Sequence, residues 1–456
     1  MTDNNTQKIP KRVLSSLLAS VAAGVVPRAG APYIAIGRED EIAALLSDLE
    51  LVNEGGGSMR FLIGRYGSGK SFLIQLMRGY ALERGFVTAD CDLSPERRLY
   101  GTGGSGVATY RELMKNLATK SSPDGGALPK LIARHISELQ SALAEKGIGS
   151  DSPLFESSLE AAVLEELRDM EFLVGGFDFA KVITGYFRAY NTGDEDKKSA
   201  CLRWLRGEYA TKTEAQSSLG FRISTVICDE NWYDFLKLWA AFVRRMGYRG
   251  LVVFIDECVN LYKITHRVSR ENNYEKILSM FNDTLQGRAP GLDIILGGTP
   301  QFLEDTRRGL FGYEALRSRL CDSRFQTGEY KNLIGPVIRL RRLSDDELFA
   351  LIVRVTRLHG QNYNWEPRIS TEEMTEFLKI CLSRAGADSM ITPREMLRDY
   401  MTVLNILYQN ENVRFADLVG RVTLKTDAEA EEEEEKNSLP RPAAEKGKFD
   451  PEELDL

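Results

Sequence analysis

The sequence predicts an α/β protein: a five-stranded parallel sheet, a large helical insertion between its second and third strands, and a C-terminal helical region. Three observations carry that prediction. Five short β-branched runs alternate with helical patterns. Gly64 to Ser71 form a glycine-rich turn between the first of these runs and a helix. The third run ends in two adjacent acids, Asp256 and Glu257.

From the amino end, Lys8, Lys11 and Arg12 precede an apolar run from Val13 to Val26, and Ala29-Gly30-Ala31 follows it, which imitates a secretory signal. Val13, Leu17, Val21 and Val25 nevertheless recur every four residues with Ser15, Ser16 and Ser20 between them, as on an amphipathic helix. Residues 1–30 are therefore expected to form a docking helix. No apolar stretch is long enough to span a bilayer, so no membrane is expected as a partner.

Strands are expected at 59–64, 86–93, 251–256, 292–298 and 336–340, where β-branched and apolar residues run together. Helical patterns occupy 39–53, 71–84, 231–246, 274–285 and 345–359. Roughly 155 residues separate the second and third strands, where one crossover helix would suffice. Most of that stretch reads helical, at 110–119, 129–145, 153–172 and 177–190, so a helical insertion is expected at about 100–230. The α/β core is expected at 31–343, a small helical lid at 344–424, and a disordered, solvated acidic tail at 425–456 with Glu431 to Glu435 and then Pro440 and Pro442.

The net charge of −7 belongs to that tail, which carries 12 acidic and 5 basic residues; the other 424 residues carry 54 of each sign. The acidic balance thus says nothing about what the folded body binds. Residues 94–249 hold 21 basic and 21 acidic residues, so charge does not mark the insertion as a nucleic-acid platform. Six cysteines lack any CxxC pair and only three histidines occur, which argues against a zinc site and a disulfide framework and for reduced thiols in the cytoplasm.

Gly64-Arg65-Tyr66-Gly67-Ser68-Gly69-Lys70-Ser71 is a full match to GxxxxGK[ST], with a strand before it and the helix Phe72-Leu-Ile-Gln-Leu-Met77 after it. Glycines let the backbone curl so that successive N–H groups face a phosphate, and the helix N-terminus adds its positive dipole end. Lys70 is expected to reach the β/γ-phosphates of ATP and the Ser71 hydroxyl to ligate Mg²⁺; Gly64, Tyr66, Gly67, Ser68, Gly69 and Phe72 complete the expected cradle. An accidental glycine-rich turn is the plain alternative, which the flanking strand and helix oppose. Leu251-Val-Val-Phe-Ile-Asp256-Glu257 supplies the partner carboxylates: Asp256 for the magnesium shell, Glu257 to orient or deprotonate the attacking water. An apolar strand ending in two acids is common by itself; beside a phosphate loop it is the expected companion.

On these residues the chain resembles the AAA+ ATPases, closest to their origin-recognition, initiator-like branch. Ala35-Ile36-Gly37-Arg38-Glu39-Asp-Glu41-Ile42 resembles that family's G-R-E-x-E-I segment, which implies that Ile36 and Gly37 lie against adenine. The resemblance puts a sensor-1 role on Thr299 in Gly297-Gly298-Thr299-Pro300-Gln301, where the family often has Asn; Gln301 could share that role. It puts an arginine finger in Leu316-Arg317-Ser318-Arg319-Leu320, with Arg319 ahead of Arg317, and a sensor-2 arginine at Arg394 in Ile391-Thr392-Pro393-Arg394-Glu395. Phosphoryl transfer spreads negative charge over the γ-oxygens, which a guanidinium stabilises without losing its proton. A finger acting in trans implies a homo-oligomer. Solvated helix faces for Arg317 and Arg319, and a lid salt bridge for Arg394, are the plain alternatives.

A closer similarity lies in Lys8-Ile-Pro-Lys-Arg12, Ala23-Gly-Val-Val-Pro-Arg28, the phosphate loop itself, and Asp92-Leu-Ser-Pro-Glu-Arg-Arg98 leading to Tyr110-Arg-Glu-Leu-Met114. Over residues 9–424 the chain resembles the ATP-binding proteins of BREX-type bacteriophage-defence islands. That resemblance implies a bacterial cytoplasmic protein acting beside a superfamily-2 helicase as loader or regulator on DNA. Two other classes stand beside it. A STAND-type switch, in which ATP gates oligomerisation without direct DNA binding, usually carries a long repeat sensor. A P-loop small-molecule kinase is disfavoured by the Asp-Glu pair and the helical lid.

The remaining features are ambiguous. Arg97 and Arg98, past the second strand, could meet DNA or a neighbouring nucleotide, or pair with local acids. Trp204, Trp232, Trp239 and Trp365 read as core or interface anchors more than as base-stacking platforms. His135, His266 and His359 show no partners in the sequence, and the basic stretch Arg339, Arg341 and Arg342 is a thin candidate for a phosphate contact.

Overall fold

In a computed structural model the residues described are 9–149, 152–170, 173–322, 332–384 and 392–419. The expected tail at 425–456, as well as Lys8 and Ile391 of the quoted motifs, lies outside them. Strands β1 (Ser58–Gly64), β2 (Val87–Asp92), β3 (Leu251–Asp256), β4 (Leu292–Gly298) and β5 (Val337–Leu340) form one parallel sheet in the order β2-β3-β4-β1-β5. Both faces are covered, which is why the strands read as continuous apolar runs. Leu62, Val252, Phe254, Ile295 and Ile338 face a layer with Leu45, Leu49, Leu73 and Met77 from the helices Glu39–Asn53 and Lys70–Glu83. Phe61, Ile63, Val253, Ile255 and Leu296 face the opposite layer, which continues into the insertion.

The strand order fixes where a ligand can sit. β1 lies between β4 and β5, and β4 separates β1 from β3. Leu73 and Met77 of the helix after β1 pack on one face of the sheet and Phe302 and Leu303 after β4 on the other. Open α/β sheets bind ligands at the carboxyl edge of this kind of divergence.

The insertion is helical, with Ser105–Lys115, Leu128–Glu145, Phe155–Leu167, Gly176–Thr192, Glu195–Leu205 and Lys212–Leu219 leading to Trp232–Arg245. Its centre is aromatic. The Trp239 ring meets Phe179 edge-on at 5.2 Å and Trp204 meets Phe235 at 5.4 Å. The indole nitrogens are satisfied inside: Trp239 Nε1 donates to the Tyr110 hydroxyl at 3.0 Å, Trp232 Nε1 to Leu99 O at 2.9 Å, and Trp204 Nε1 to Thr225 O at 3.2 Å. These three tryptophans are buried anchors, unavailable for base stacking.

The chain divides into two units, one from Val26 to Ser344 and one made of both chain ends, Met1–Val25 with Asp345–Leu456. In the second unit the helix Lys11–Ala22 packs on Asp345–Tyr363 and Pro393–Gln409, joined by Thr371–Arg384 and Phe415–Val419. Its buried face is Leu14, Leu17, Leu18 and Val21, a correction to the four-residue stripe expected from the sequence. Val25 is exposed because the helix has already ended; Gly24, at φ 65, turns the chain away. In the same unit His359 is buried and satisfied: Nδ1 accepts from Trp365 Nε1 at 2.9 Å while Nε2 faces Asn405 Oδ1 at 3.0 Å. Among the described residues no helix is long and apolar enough to cross a membrane.

Candidate functional site

β1 delivers Gly64 to the carboxyl edge, where the chain curls into the helix Lys70–Glu83. A Cβ at Gly64 would run into the Ser68 hydroxyl, and Gly67 and Gly69 stand at φ 73 and 87, so the turn needs glycine at these positions. No acidic residue occupies the first turn of the helix, which leaves its positive end without a counter-charge of its own. Lys70 Nζ arches back over the loop and donates to Gly64 O at 3.0 Å and Arg65 O at 3.4 Å. Burial pushes the Lys70 pKa down, against the pull of the Asp256 and Glu257 carboxylates.

Behind the loop lies a residue to which the sequence alone assigns no role. Arg38 is buried; its Nη2 donates to Ser68 O at 2.8 Å and to Arg341 O at 2.6 Å. One guanidinium therefore fastens the phosphate loop to the chain leaving β5, and Glu41 lies 3.7 Å from its Nη1. The only sequence hint is the run of acids after Arg38 in 37–41.

Ser71 Oγ donates to Asp256 Oδ2 at 2.8 Å, which joins the loop from β1 to the end of β3 across the intervening β4. β4 permits that approach because its edge residue is Gly297, where a Cβ would collide with the Asp256 carboxylate. Glu257 follows with φ 58, a left-handed conformation unusual for a non-glycine residue and typical of functional sites. Asp92, at the end of β2, sits opposite Asp256 in register. Burial raises the Asp92 pKa, and the Asp256 and Glu257 charges raise it further. Asp92 is thus a third acid at this edge, invisible as a site residue until the β2–β3 pairing is known.

Among the described residues no group of three or more His, Cys, Asp or Glu makes a metal cage. The Ser71 and Asp256 oxygens, 2.8 Å apart, instead match what magnesium takes from a protein when phosphates and water complete its shell.

The other expected site residues are distributed as follows. Ile36 and Gly37 are half-buried, between the short 3₁₀ turn Ala31–Ile34 and the helix Glu39–Asn53. Tyr66 is exposed on the loop, while Phe72 packs into the apolar layer under the helix. Thr299 follows β4, the strand between those that carry the loop and the acids, and caps the short helix Pro300–Glu304; its hydroxyl oxygen accepts from Phe302 N at 3.4 Å, which leaves its hydrogen to donate. Gln301 is exposed. Arg319 Nε donates to Asn282 Oδ1 at 3.1 Å and its Nη1 to Ala315 O at 2.7 Å. Arg317, two residues earlier on the helix Glu314–Leu320, is exposed and has no side-chain partner among the described residues. Arg394 belongs to the other unit, exposed on the first turn of Pro393–Gln409. That helix starts with a capping box: Thr392 N donates to Glu395 Oε2 at 2.6 Å and Glu395 N to Thr392 Oγ1 at 3.2 Å.

The basic candidates beyond the loop are largely engaged. Arg339 binds Glu304 at 3.2 Å and Asp322 at 2.8 Å, which neutralises it as a phosphate contact. Arg97 Nε donates to Asp92 O at 3.0 Å and its Nη1 lies 4.0 Å from Glu112, so the local-acid reading describes it.

Residues 9–423 match the family model described as BREX system ATP-binding protein BrxC/D. No curated protein sequence matches the chain.

Proposed function

The chain belongs to the BREX system ATP-binding protein BrxC/D family, and from that premise we propose that it is a magnesium-dependent ATPase of AAA+ type acting in phage defence. The observation that carries the reading is the 2.8 Å bond from Ser71 to Asp256, with Glu257 beside it in a left-handed turn. A phosphate loop alone would suit a storage site. A second carboxylate set at the same edge suits hydrolysis.

In this reading the β- and γ-phosphates of ATP lie in the 64–71 turn, where Lys70 exchanges its two carbonyl acceptors for phosphate oxygens. Its lowered pKa does not uncharge it once phosphates surround it, because nearby negative charge favours the ammonium. Ser71 and Asp256 would hold Mg²⁺, which would supply neutralising charge to the phosphates. Glu257 accepts a proton from the attacking water, and Thr299 donates its hydroxyl hydrogen toward the same region. Arg317 is the better trans arginine of the pair, since Arg319 is already bonded to Asn282 and its own helix. Ile36 and Gly37 take the adenine side.

A DNA substrate and a superfamily-2 helicase partner are part of the proposal, drawn from the resemblance to the ATP-binding proteins of BREX-type defence islands. The experiment is ATP turnover of the whole protein with magnesium, alone and with single- or double-stranded DNA, while its mass is followed under ATP. Stimulation by DNA with assembly supports the loader reading. Turnover that ignores DNA in a monomer replaces it with an ATP-gated switch, and no turnover under any condition overturns hydrolysis.

A further inference from the structure

We infer that Asn260 is a positioning residue that holds Glu257 in its left-handed turn; the inference rests on the reading of Glu257 as the group that activates water. Glu257 has φ 58, where L side chains are rarely found. The apolar strand before it does not favour that conformation, so the bonds around its peptide must select it. Its N–H donates to Asp256 Oδ1 at 2.8 Å, and the next N–H, of Cys258, donates to Gly297 O at 3.0 Å. Its carbonyl accepts from Asn260 N at 2.9 Å and from Asn260 Nδ2 at 3.2 Å.

The same Nδ2 donates to Leu93 O at 2.8 Å, just past β2, and Leu93 N donates to Asp256 O at 3.0 Å. One side-chain amide, with two hydrogens, therefore serves two carbonyls and closes a ring through Leu93, Asp256 and Glu257. The ring has a task. Asp92 and Asp256 stand opposite each other at the ends of β2 and β3, and like charges at that spacing push the two chain exits apart. Asn260 ties the exits together at the peptide that aims Glu257. Asp256 cannot be altered without touching the proposed metal shell; Asn260 can. An aspartate at 260 keeps the size and removes the donor, presenting oxygens to two carbonyls. A glutamine keeps the donor.

The test uses the full chain: steady-state ATPase, ATP affinity and melting temperature for the parent, Asn260→Asp, Asn260→Gln and Glu257→Gln, with single-turnover hydrolysis for the Asn260→Asp/Glu257→Gln double variant. Asn260→Asp is expected to lower kcat about tenfold with KM for ATP and melting temperature near the parent's, because a small misplacement of a reacting group costs rate more than binding. Asn260→Gln recovers part of the loss. The double variant is no slower than Glu257→Gln, since Asn260 acts only through Glu257. Parental turnover in Asn260→Asp overturns the inference, as does an equal loss of ATP affinity, or a double variant slowed again by the same factor. Parental turnover in Glu257→Gln instead overturns the reading beneath it. If Asn260→Asp does not fold, Asn260→Ser removes the amide without adding charge and gives the same readout.

Discussion

Residues 64–71 and 101–106 are both glycine-rich turns that lead into a helix on the sheet side of the molecule, Lys70–Glu83 and Ser105–Lys115. Each helix is preceded by a left-handed glycine, Gly69 at φ 87 and Gly104 at φ 83. In each, a glycine leaves room for a serine hydroxyl four residues on: Gly64 for Ser68 and Gly101 for Ser105. The difference is what meets the helix end. In the second turn Asp229, buried, takes Gly104 N at 2.9 Å and Val107 N at 2.7 Å on its two carboxylate oxygens. In the first, Lys70 Nζ donates to the loop carbonyls of Gly64 and Arg65, and Asp256 accepts from the Ser71 hydroxyl instead. The same backbone curl is an anion site when left to a ligand and a structural joint when the chain fills it with its own carboxylate.

The largest effect should come from removing the cation that marks the first turn. Lys70→Ala is expected to weaken ATP binding about 100-fold or more, since truncating one partner of a buried charge pair costs roughly 2–5 kcal/mol. Nucleotide titration checks it, and unchanged affinity would dissolve the contrast between the two turns. Asp229→Ala should act in the opposite sense: a loss of about 2–3 kcal/mol of stability, from two orphaned buried N–H groups, with ATP affinity unchanged at a temperature where the variant stays folded. Chemical denaturation read beside nucleotide titration separates the two effects.

Smaller and more discriminating is a pair of glycine replacements. Gly69→Ala and Gly104→Ala each force a Cβ into a left-handed position, at about 1–2 kcal/mol. Neither added Cβ meets backbone nearby: Gly69 has open space and Gly104 has only Val107 at 3.7 Å. Conformational strain is therefore the shared cost. Gly104→Ala should lower only the melting temperature, while Gly69→Ala should also lower ATP affinity, because the strained N–H groups are those the phosphate needs. Equal loss of affinity in both would mean that the second turn also contributes to nucleotide binding.

These two turns also show what a sequence can reveal. The first announces itself because the glycines, Lys70 and Ser71 that make up its pattern lie within eight positions, and Asp256-Glu257 follows an apolar run that is plain. The strand limits fall within one residue of their expected ends for the same reason: burial on both faces writes itself as an unbroken apolar run. What fills the second turn is 125 residues from Gly104, and Asn273, which binds both Leu99 N and Tyr100 N at 2.9 Å, is 174 and 173 residues from them. Asp92, Arg38 and Asn260 gain meaning from strand register and loop packing, which no local pattern encodes. Arg317 and Arg319 are indistinguishable as letters; the Arg319 bonds to Asn282, on another helix, and to Ala315 O separate them.

The comparison extends to a buried carboxylate with no helix end to meet. Asp293, at the start of β4, is buried; burial and then the Asp48 charge push its pKa up to about 8, with Ser58 and Arg60 drawing it back. Arg60 is already engaged by Asp48 on both oxygens at 2.7 Å. The linkage follows from the raised folded value. Below the ordinary aspartate range both states hold the proton and the group costs nothing. As pH rises toward 8 the unfolded chain releases its proton while the folded chain keeps it, so stability falls; above 8 the loss levels off. Asp293→Asn should therefore change stability least near pH 4 and raise the melting temperature by an amount that grows with pH up to about 8 and then levels off. Asp229→Asn should never stabilise, because its carboxylate is matched by two N–H donors. A stabilising Asp229→Asn, or an Asp293→Asn gain that does not grow with pH, would show that a helix end is not what separates a matched buried carboxylate from a costly one in this fold.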